Sequence, residues 1–309
     1  MGHVTSDAAL HETLSGPIAS VRLPFTADGQ IDTGGLHAYV ERCVAGPAGV
    51  VMLTYGDSLY SVLTDDEVVD VTRAAIDQVA GRCAVIAADR SWWTGKAVEF
   101  AGFCREAGAD LLMVLPPDWT TSGTPESLAD YYAAISAQMP VMMVTNYLKA
   151  RSLEEAGRVV DEVARRAPGV IAVKEDVGGE RGRDLTARLA GRMTVVAGGT
   201  KRLHADLRPH GAAGYLSTLA VFRPDLATAY WDAVQSDDDT RMRELIDTAD
   251  VPLFRMLAGF PGGFDAALHG WCELAGIAGR WRRGPYHSLT DTELDGLAQA
   301  LDELGLRHP

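Results

Sequence analysis

Apolar residues in the first two-thirds of the chain come in short unbroken runs rather than in alternation. They fall at Ile18–Pro24, Gly49–Thr54, Cys83–Asp89, Asp110–Leu115, Pro140–Asn146, Val170–Lys174, Thr194–Gly198 and Gly214–Ser217. Continuous hydrophobicity of this length suits parallel strands covered on both faces. Between the runs the apolar positions recur with helical spacing, as in Asp65–Val79, Lys96–Ala107, Pro125–Ala137 and Leu153–Arg166. Several of these stretches open on a capping signal, such as Thr64 before Asp65-Asp66-Glu67, or Ser152 before Glu154-Glu155. Eight strand–helix units in about 220 residues predict an α/β fold of the (β/α)8 TIM-barrel type. A doubly wound open sheet is the alternative, but no G-x-G-x-x-G follows the first strand.

Past Arg223-Pro224 the strand signals stop, and helical stretches follow at Asp225–Gln235, Thr240–Ala258, Phe264–Ala275 and Asp291–Leu304. The acidic Asp237-Asp238-Asp239 suffices to start the second of them. The predicted organisation is an N-terminal extension over residues 1–15, a barrel over 16–222, and a C-terminal helical extension over 223–309 packed on the barrel. No internal repeat or low-complexity linker interrupts it.

Composition narrows the function classes. The 309 residues are 47% hydrophobic and carry a formal net charge of −14, which repels nucleic acid and anionic membranes. The basic cluster Arg280, Arg282 and Arg283 is too short to reverse this and reads as a solvated patch. Cys43, Cys83, Cys104 and Cys272 are scattered without a C-x-x-C pair, and no histidines show ligand spacing, so neither a disulfide framework nor a metal site is expected. The first fifteen residues lack a basic n-region and an apolar core, and no run of about 18 apolar residues could span a bilayer. A cytoplasmic protein without a signal peptide is the expectation.

In such a barrel the chemistry lies at the strand C-termini. Lys174 ends the run Val170-Ile171-Ala172-Val173, in a chain whose other lysines are Lys96, Lys149 and Lys201. Desolvation in a crowded barrel mouth disfavours an ammonium, freeing an amine that can attack a ketone; an arginine cannot serve. The bland alternative is a snorkelling lysine paired with Glu175 or Asp176.

The order of several segments resembles the dihydrodipicolinate synthase / N-acetylneuraminate lyase family over about residues 16 to 305. The segments are Leu23-Pro24-Phe25-Thr26-x-Asp28-Gly29-x-Ile31-Asp32, Leu63-Thr64-Asp65-Asp66-Glu67, Pro116-Pro117 and Gly169-Val170-Ile171-Ala172-Val173-Lys174-Glu175. The resemblance implies a class I enzyme with Lys174 as imine-forming nucleophile and no other cofactor or metal. It further implies a 2-oxo acid pocket lined by Gly198, Leu216 and Ser217, and a homo-oligomer, a tetramer or a dimer.

Three segments depart from the family pattern. The carboxylate-binding loop G-T-T-G-E reads Thr54-Tyr55-Gly56-Asp57-Ser58 here, so either Thr54 or Ser58 supplies the hydroxyl, with Asp57 beside it. The Y-N-x-P segment reads Val144-Thr145-Asn146-Tyr147-Leu148, which displaces the family's proton-relaying tyrosine. Tyr147, Thr145 or Asp57 is then the candidate proton carrier and Asn146 a substrate contact. The P-Y-Y motif reads Pro117-Asp118-Trp119. The glycine-rich turn after the third strand becomes Ala88-Asp89-Arg90, and Arg90 is expected to hold a second substrate carboxylate. Lys149 or Arg151 falls near another carboxylate-binding position.

The leading expectation is a Schiff-base lyase or aldolase acting on pyruvate or a larger 2-oxo acid of the keto-deoxy sugar acid type. Alternatives are a sugar-acid dehydratase of the same family, a non-catalytic ketoacid-binding relative, or a different barrel enzyme using Asp89 and Asp57 for acid–base work.

Overall fold

A computed structural model describes residues 7–307. The strands β1 (Pro17–Ser20), β2 (Val50–Met52), β3 (Ala84–Ala88), β4 (Leu111–Val114), β5 (Val141–Val144), β6 (Val170–Glu175), β7 (Thr194–Ala197) and β8 (Ala212–Leu216) pair in parallel in chain order. Strand β8 returns to β1, so the sheet closes into the predicted (β/α)8 barrel. Each predicted apolar run overlaps its strand; the runs for β1 and β8 start late, the run for β6 stops one residue short, and several others overshoot. Val21, Leu23 and Leu53 lie beyond their strands and are still fully buried, which is why the runs read longer than the ladders. A register shift between Val141 and Met142 in the β5–β6 ladder leaves Lys174 opposite Val144, and the regular β6–β7 ladder sets it opposite Val196.

The helices α1 (Asp7–Leu14), α2 (Thr33–Ala45), α3 (Asp65–Val79), α4 (Thr94–Ala107), α5 (Pro125–Ser136), α6 (Leu153–Arg166), α7 (Gly179–Leu189) and α8 (Lys201–Leu207) accompany the barrel. Thr64 and Glu67 complete a reciprocal capping box at α3, and Ser152 caps α6 through the Glu155 amide. Helix α1 lies within the stretch expected as an N-terminal extension, and it packs on the strands. Leu10 and Leu14 are buried, and His11 Nδ1 hydrogen-bonds Thr194 Oγ1 at the start of β7, which places α1 at the barrel's N-terminal end.

The C-terminal helices are α9 (Leu219–Phe222), α10 (Pro224–Gln235), α11 (Asp239–Leu245), α12 (Val251–Ala258), α13 (Gly263–Leu274) and α14 (Asp291–Glu303). The sequence suggests one helix over Thr240–Ala258. A π-helical turn at Ile246–Asp250 divides it, just before Pro252, whose missing N–H cannot continue the regular ladder. That turn carries Asp250 to Lys201 on α8, a pair 3.7 Å apart with both side chains almost wholly buried. Phe222 stacks on Trp271 of α13 at 4.4 Å, with Tyr39 of α2 edge-on at 6.4 Å, and so joins the extension to the barrel.

The cluster Arg280, Arg282 and Arg283 is not the solvated patch expected. Arg280 pairs with Glu273 and Asp291, Arg282 donates to the His287 carbonyl, and Arg283 reaches Glu67 and the Gly29 and Val62 carbonyls. Arg280 and Arg282 are buried, because the loop before α14 supplies the acceptors that bring a guanidinium out of water.

Closure of the barrel depends on a missing side chain. A Cβ at Gly214 would overlap the Leu14 carbonyl oxygen and lie 2.9 Å from the Gly16 oxygen, both of them backbone. Gly214→Ala should therefore destabilise the fold by about 1–3 kcal/mol or more, as overpacked core positions do. Denaturant unfolding checks this, and a midpoint equal to wild type would show that the β8–β1 seam can relax.

Candidate active site

Seven of the eight strand ends contribute to one cleft of about 190 Å³ at the C-terminal face of the barrel. Thr54, Tyr55, Gly56 and Asp57 come from the loop after β2, Asp89 from β3, Met113 and Leu115 from β4, Val144 and Asn146 from β5. Lys174 and Asp176 come from β6, Gly198 from β7 and Leu216 from β8. Met113, Leu115, Val144 and Leu216 make the apolar part of the wall. The rest is polar, and most of its charge is carboxylate.

Lys174 is the cation of the cleft, with its side chain 11% exposed. Its Nζ donates to both oxygens of Asp176, at 2.6 and 2.7 Å. Glu175, the next residue along the strand, turns the other way. Its Oε1 accepts from the Val177 and Gly178 amides, and burial raises its pKa. Strand alternation thus puts Lys174 and Asp176 on the cleft side and Glu175 under α7. Gly198 makes room for the pair: a Cβ there would overlap Asp176 Oδ1 and approach Lys174 Nζ to 2.9 Å.

The loop after β2 is a tight turn held from within. Thr54 Oγ1 accepts from the Asp57 amide at 2.8 Å, and Ser58 Oγ accepts from the Thr54 amide while donating to the Val21 carbonyl. Ser58 is completely buried and does not line the cleft, so of the two candidate hydroxyls only Thr54 faces it. Asp57 is held below its ordinary carboxylate pKa. Burial opposes this, but the Arg22 guanidinium, the Ser20 hydroxyl and the Lys174 charge outweigh it. Arg22, buried at the end of β1, reaches Asp57 at 3.5 Å and Asp265 of α13 at 2.9 Å.

Asp89 is the other cleft carboxylate. Burial pushes its pKa up to about 7, against the pull of hydrogen bonds from the Leu115 amide and the Tyr131 hydroxyl. Protonation near neutrality makes it able to give or take a proton at working pH.

Thr54, Asp57, Asn146, Lys174, Gly198 and Leu216 therefore meet in the cleft as the sequence suggests, while Arg90, Thr145, Tyr147, Ser58 and Ser217 do not line it. Arg90 corrects the expectation most. Its guanidinium bonds Asp65 at the first turn of α3, with Trp92 and Lys96 on the same carboxylate, and so points away from the cleft. The Tyr147 hydroxyl sits 3.9 Å from Met143 Sδ, under Tyr132, and burial raises its pKa. Thr145 lies behind the cleft wall: its hydroxyl donates to the Lys174 carbonyl and accepts from the Asp176 amide. Arg151 is sequestered by Asp118, Glu155 and the Gly123 carbonyl, and Lys149 is exposed outside the cleft. The sequence offers Asp176 only as a partner for a snorkelling Lys174, a pairing the structure contains, and nothing in its spacing marks it further as a site residue.

Among the described residues no group of three or more His, Cys, Asp or Glu side chains is arranged to hold a metal ion, and no helix is long and apolar enough to cross a membrane.

Comparison with known proteins places this geometry. The chain is 26% identical over 311 residues to a Streptomyces coelicolor protein named "Probable 5-dehydro-4-deoxyglucarate dehydratase 1", covering 96% of each. It is 29% identical over 251 residues to a Rhizobium meliloti 4-hydroxy-tetrahydrodipicolinate synthase, covering 80% of this chain and 84% of that one. Among solved structures, dihydrodipicolinate synthase from Bacillus clausii superposes with a TM-score of 0.83 at 20% identity, covering 96% of this chain and all of the other. N-acetylneuraminate lyase from Mycoplasma synoviae superposes with a TM-score of 0.80 at 19% identity, covering 96% and 99%. Residues 13–304 match the dihydrodipicolinate synthetase family, and the chain belongs to that family of lyases.

Proposed function

We propose that this protein is a class I lyase that joins Lys174 to a 2-oxo acid as an imine and breaks or makes a bond further along the substrate. The observation that carries the reading is a nearly buried lysine at the end of β6, facing a cleft whose opposite rim is the Thr54–Asp57 turn. No acceptor among the described residues takes the Tyr55 or Gly56 amides, which leaves two donors for the substrate carboxylate. With the carboxylate there, the 2-oxo carbon faces the Lys174 amine. The iminium then draws electrons from the neighbouring carbon, which makes aldol cleavage, condensation or loss of a β-hydroxyl accessible. Pyruvate and larger keto-deoxy sugar acids fit this chemistry. The protein works without a further cofactor, in the cytoplasm and as a homo-oligomer on this reading.

A second reading, dehydration of a sugar acid, is favoured by Asp89. Elimination of water needs an acid beside the departing hydroxyl, and a carboxyl with a pKa of about 7 is protonated in a substantial fraction of molecules near neutrality. The relatives named as dehydratases agree with it.

Two outcomes are expected. Incubation with pyruvate or a larger 2-oxo acid and borohydride should add the reduced ketoacid mass to Lys174. Lys201 should stay unmodified, since it is shut in with Asp250. An adduct of equal yield in Lys174→Ala would refute the assignment.

The second concerns pH. The folded-state pKa of Asp89 is about 7, against about 3.9 for an unfolded aspartate. Its contribution to stability is therefore fully present below about pH 4 and is lost as pH rises through about 7. Asp89→Asn removes that titration, so the variant's Tm should gain on wild type between about pH 5 and pH 8. A Tm difference that stays constant with pH would count against a raised Asp89.

A further inference from the structure

An imine-forming lysine needs a partner that takes its proton and later gives one to the departing oxygen. The place of the tyrosine that the resemblance implies for this falls on Val144 or Thr145, and the Thr145 hydroxyl is committed to the Lys174 carbonyl and the Asp176 amide. The other candidates are engaged elsewhere. Tyr147 rests on a methionine sulfur, Glu175 accepts from two amides of its own loop, Asp57 is bound to Arg22, and Asp89 accepts from Leu115 and Tyr131.

On the basis of the imine reading above, we infer that Asp176 is the catalytic proton acceptor and donor for Lys174, with Thr145 and Gly198 as the residues that position it. Asp176 is the one side chain among the described residues that hydrogen-bonds Lys174 Nζ. It lines the cleft and keeps 17% of its side chain exposed, so its carboxylate faces the space beside the amine that a substrate would enter. Its backbone is fixed by the Thr145 hydroxyl at 2.9 Å, and its carboxylate occupies the space that a side chain on residue 198 would fill. A loop carboxylate that is merely solvated requires neither arrangement.

The step balances without any outside reagent. The Asp176 carboxylate takes a proton from the Lys174 ammonium, leaving amine and carboxylic acid. The amine attacks the 2-oxo carbon, the C–N bond forms, and the C=O π pair moves to oxygen. That oxygen receives the proton shed by nitrogen, giving the neutral carbinolamine. Asp176 then protonates the carbinolamine hydroxyl, the C–O bond breaks, and water departs. The products are a protonated imine and a carboxylate, the same net charge as at the start. The carboxylate finishes beside the iminium it has helped to form.

The test is the rate of imine formation in full-length protein, using pyruvate and 2-oxoglutarate as probes, cyanoborohydride trapping and intact-mass readout. Asp176→Asn keeps the shape of the side chain and removes its basicity. Trapping at neutral pH should fall by roughly 10²–10⁴-fold, the usual contribution of a general acid–base group. The deficit should narrow, without closing, as the pH approaches the intrinsic range of a lysine amine, about 10, because free amine then forms without Asp176 while its acid role stays unfilled. A purely structural role would instead depress trapping equally at every pH. Thr145→Val, which loosens Asp176 without removing it, should give a smaller loss with the wild-type pH profile. Equal or faster trapping in Asp176→Asn would overturn the inference, since a carboxylate that only locks the ammonium slows attack. Failure of wild type to trap either probe, or a panel of larger 2-oxo acids, would overturn the imine reading and this inference with it. Trapping in wild type, absent in Lys174→Ala and unchanged in Asp176→Asn, would overturn the inference alone.

Discussion

Closing a parallel sheet on itself removes every solvent-facing side from its strands, and the rest of the molecule follows from that constraint. Val50, Val51, Met52, Val141, Met142 and Met143 are fully buried on consecutive positions, so no strand interior can carry an unpaired charge. Polar chemistry is confined to the strand ends. Seven of those ends supply the cleft, and the helix at the opposite end closes the barrel with Leu10 and Leu14. The close approach of Gly214 to the Leu14 carbonyl shows how little slack that closure leaves.

The same constraint explains what could be read from the chain. Continuous apolar runs are the direct image of two-sided burial, so all eight strands were legible, as were α3 and α6 to the residue. Lys174, Thr54, Asn146 and Gly198 were also legible, because strand direction fixes which end of each run forms the rim. Side-chain direction beyond the strand was not. Arg90 leaves β3 beside Asp89, and the two diverge: the carboxylate turns into the barrel, and the guanidinium turns to Asp65 at a helix start some 25 residues earlier in the chain. Neither periodicity nor motif spacing carries that information, which depends on where α3 lies in space. Tyr147 and Ser58 fail for a similar reason: each finds a closer partner behind the cleft wall than in front of it.

Electrostatics orders the interior more strictly than the net charge of −14 suggests. Four buried cations face carboxylates: Arg22 faces Asp57 and Asp265, Arg151 faces Asp118 and Glu155, Lys201 faces Asp250, and Lys174 faces Asp176. A buried pair is costly to break because the survivor stays out of water. Three of these four pairs therefore serve as fixed struts between loops and helices. The fourth opens onto the cleft, where a substrate can take part in the exchange of its proton.

An acidic cleft that receives an anion must first dispose of its own charge. Asp57 is neutralised by Arg22 and Asp176 by Lys174, and Asp89 is neutralised by a proton at and below about pH 7. On the proposed reading, a 2-oxo acid in that state would meet the Tyr55 and Gly56 amides beside an Asp57 that shares Arg22 with Asp265. On that reading, forming the imine would not disturb the balance, because the cation on Lys174 would become a cation on the imine nitrogen with Asp176 opposite it. Ionisation of Asp89 does disturb it, by adding one unpaired negative charge to a site of low dielectric. Burial of Asp89, by raising its pKa to about 7, thus ties the charge of the cleft to pH near neutrality.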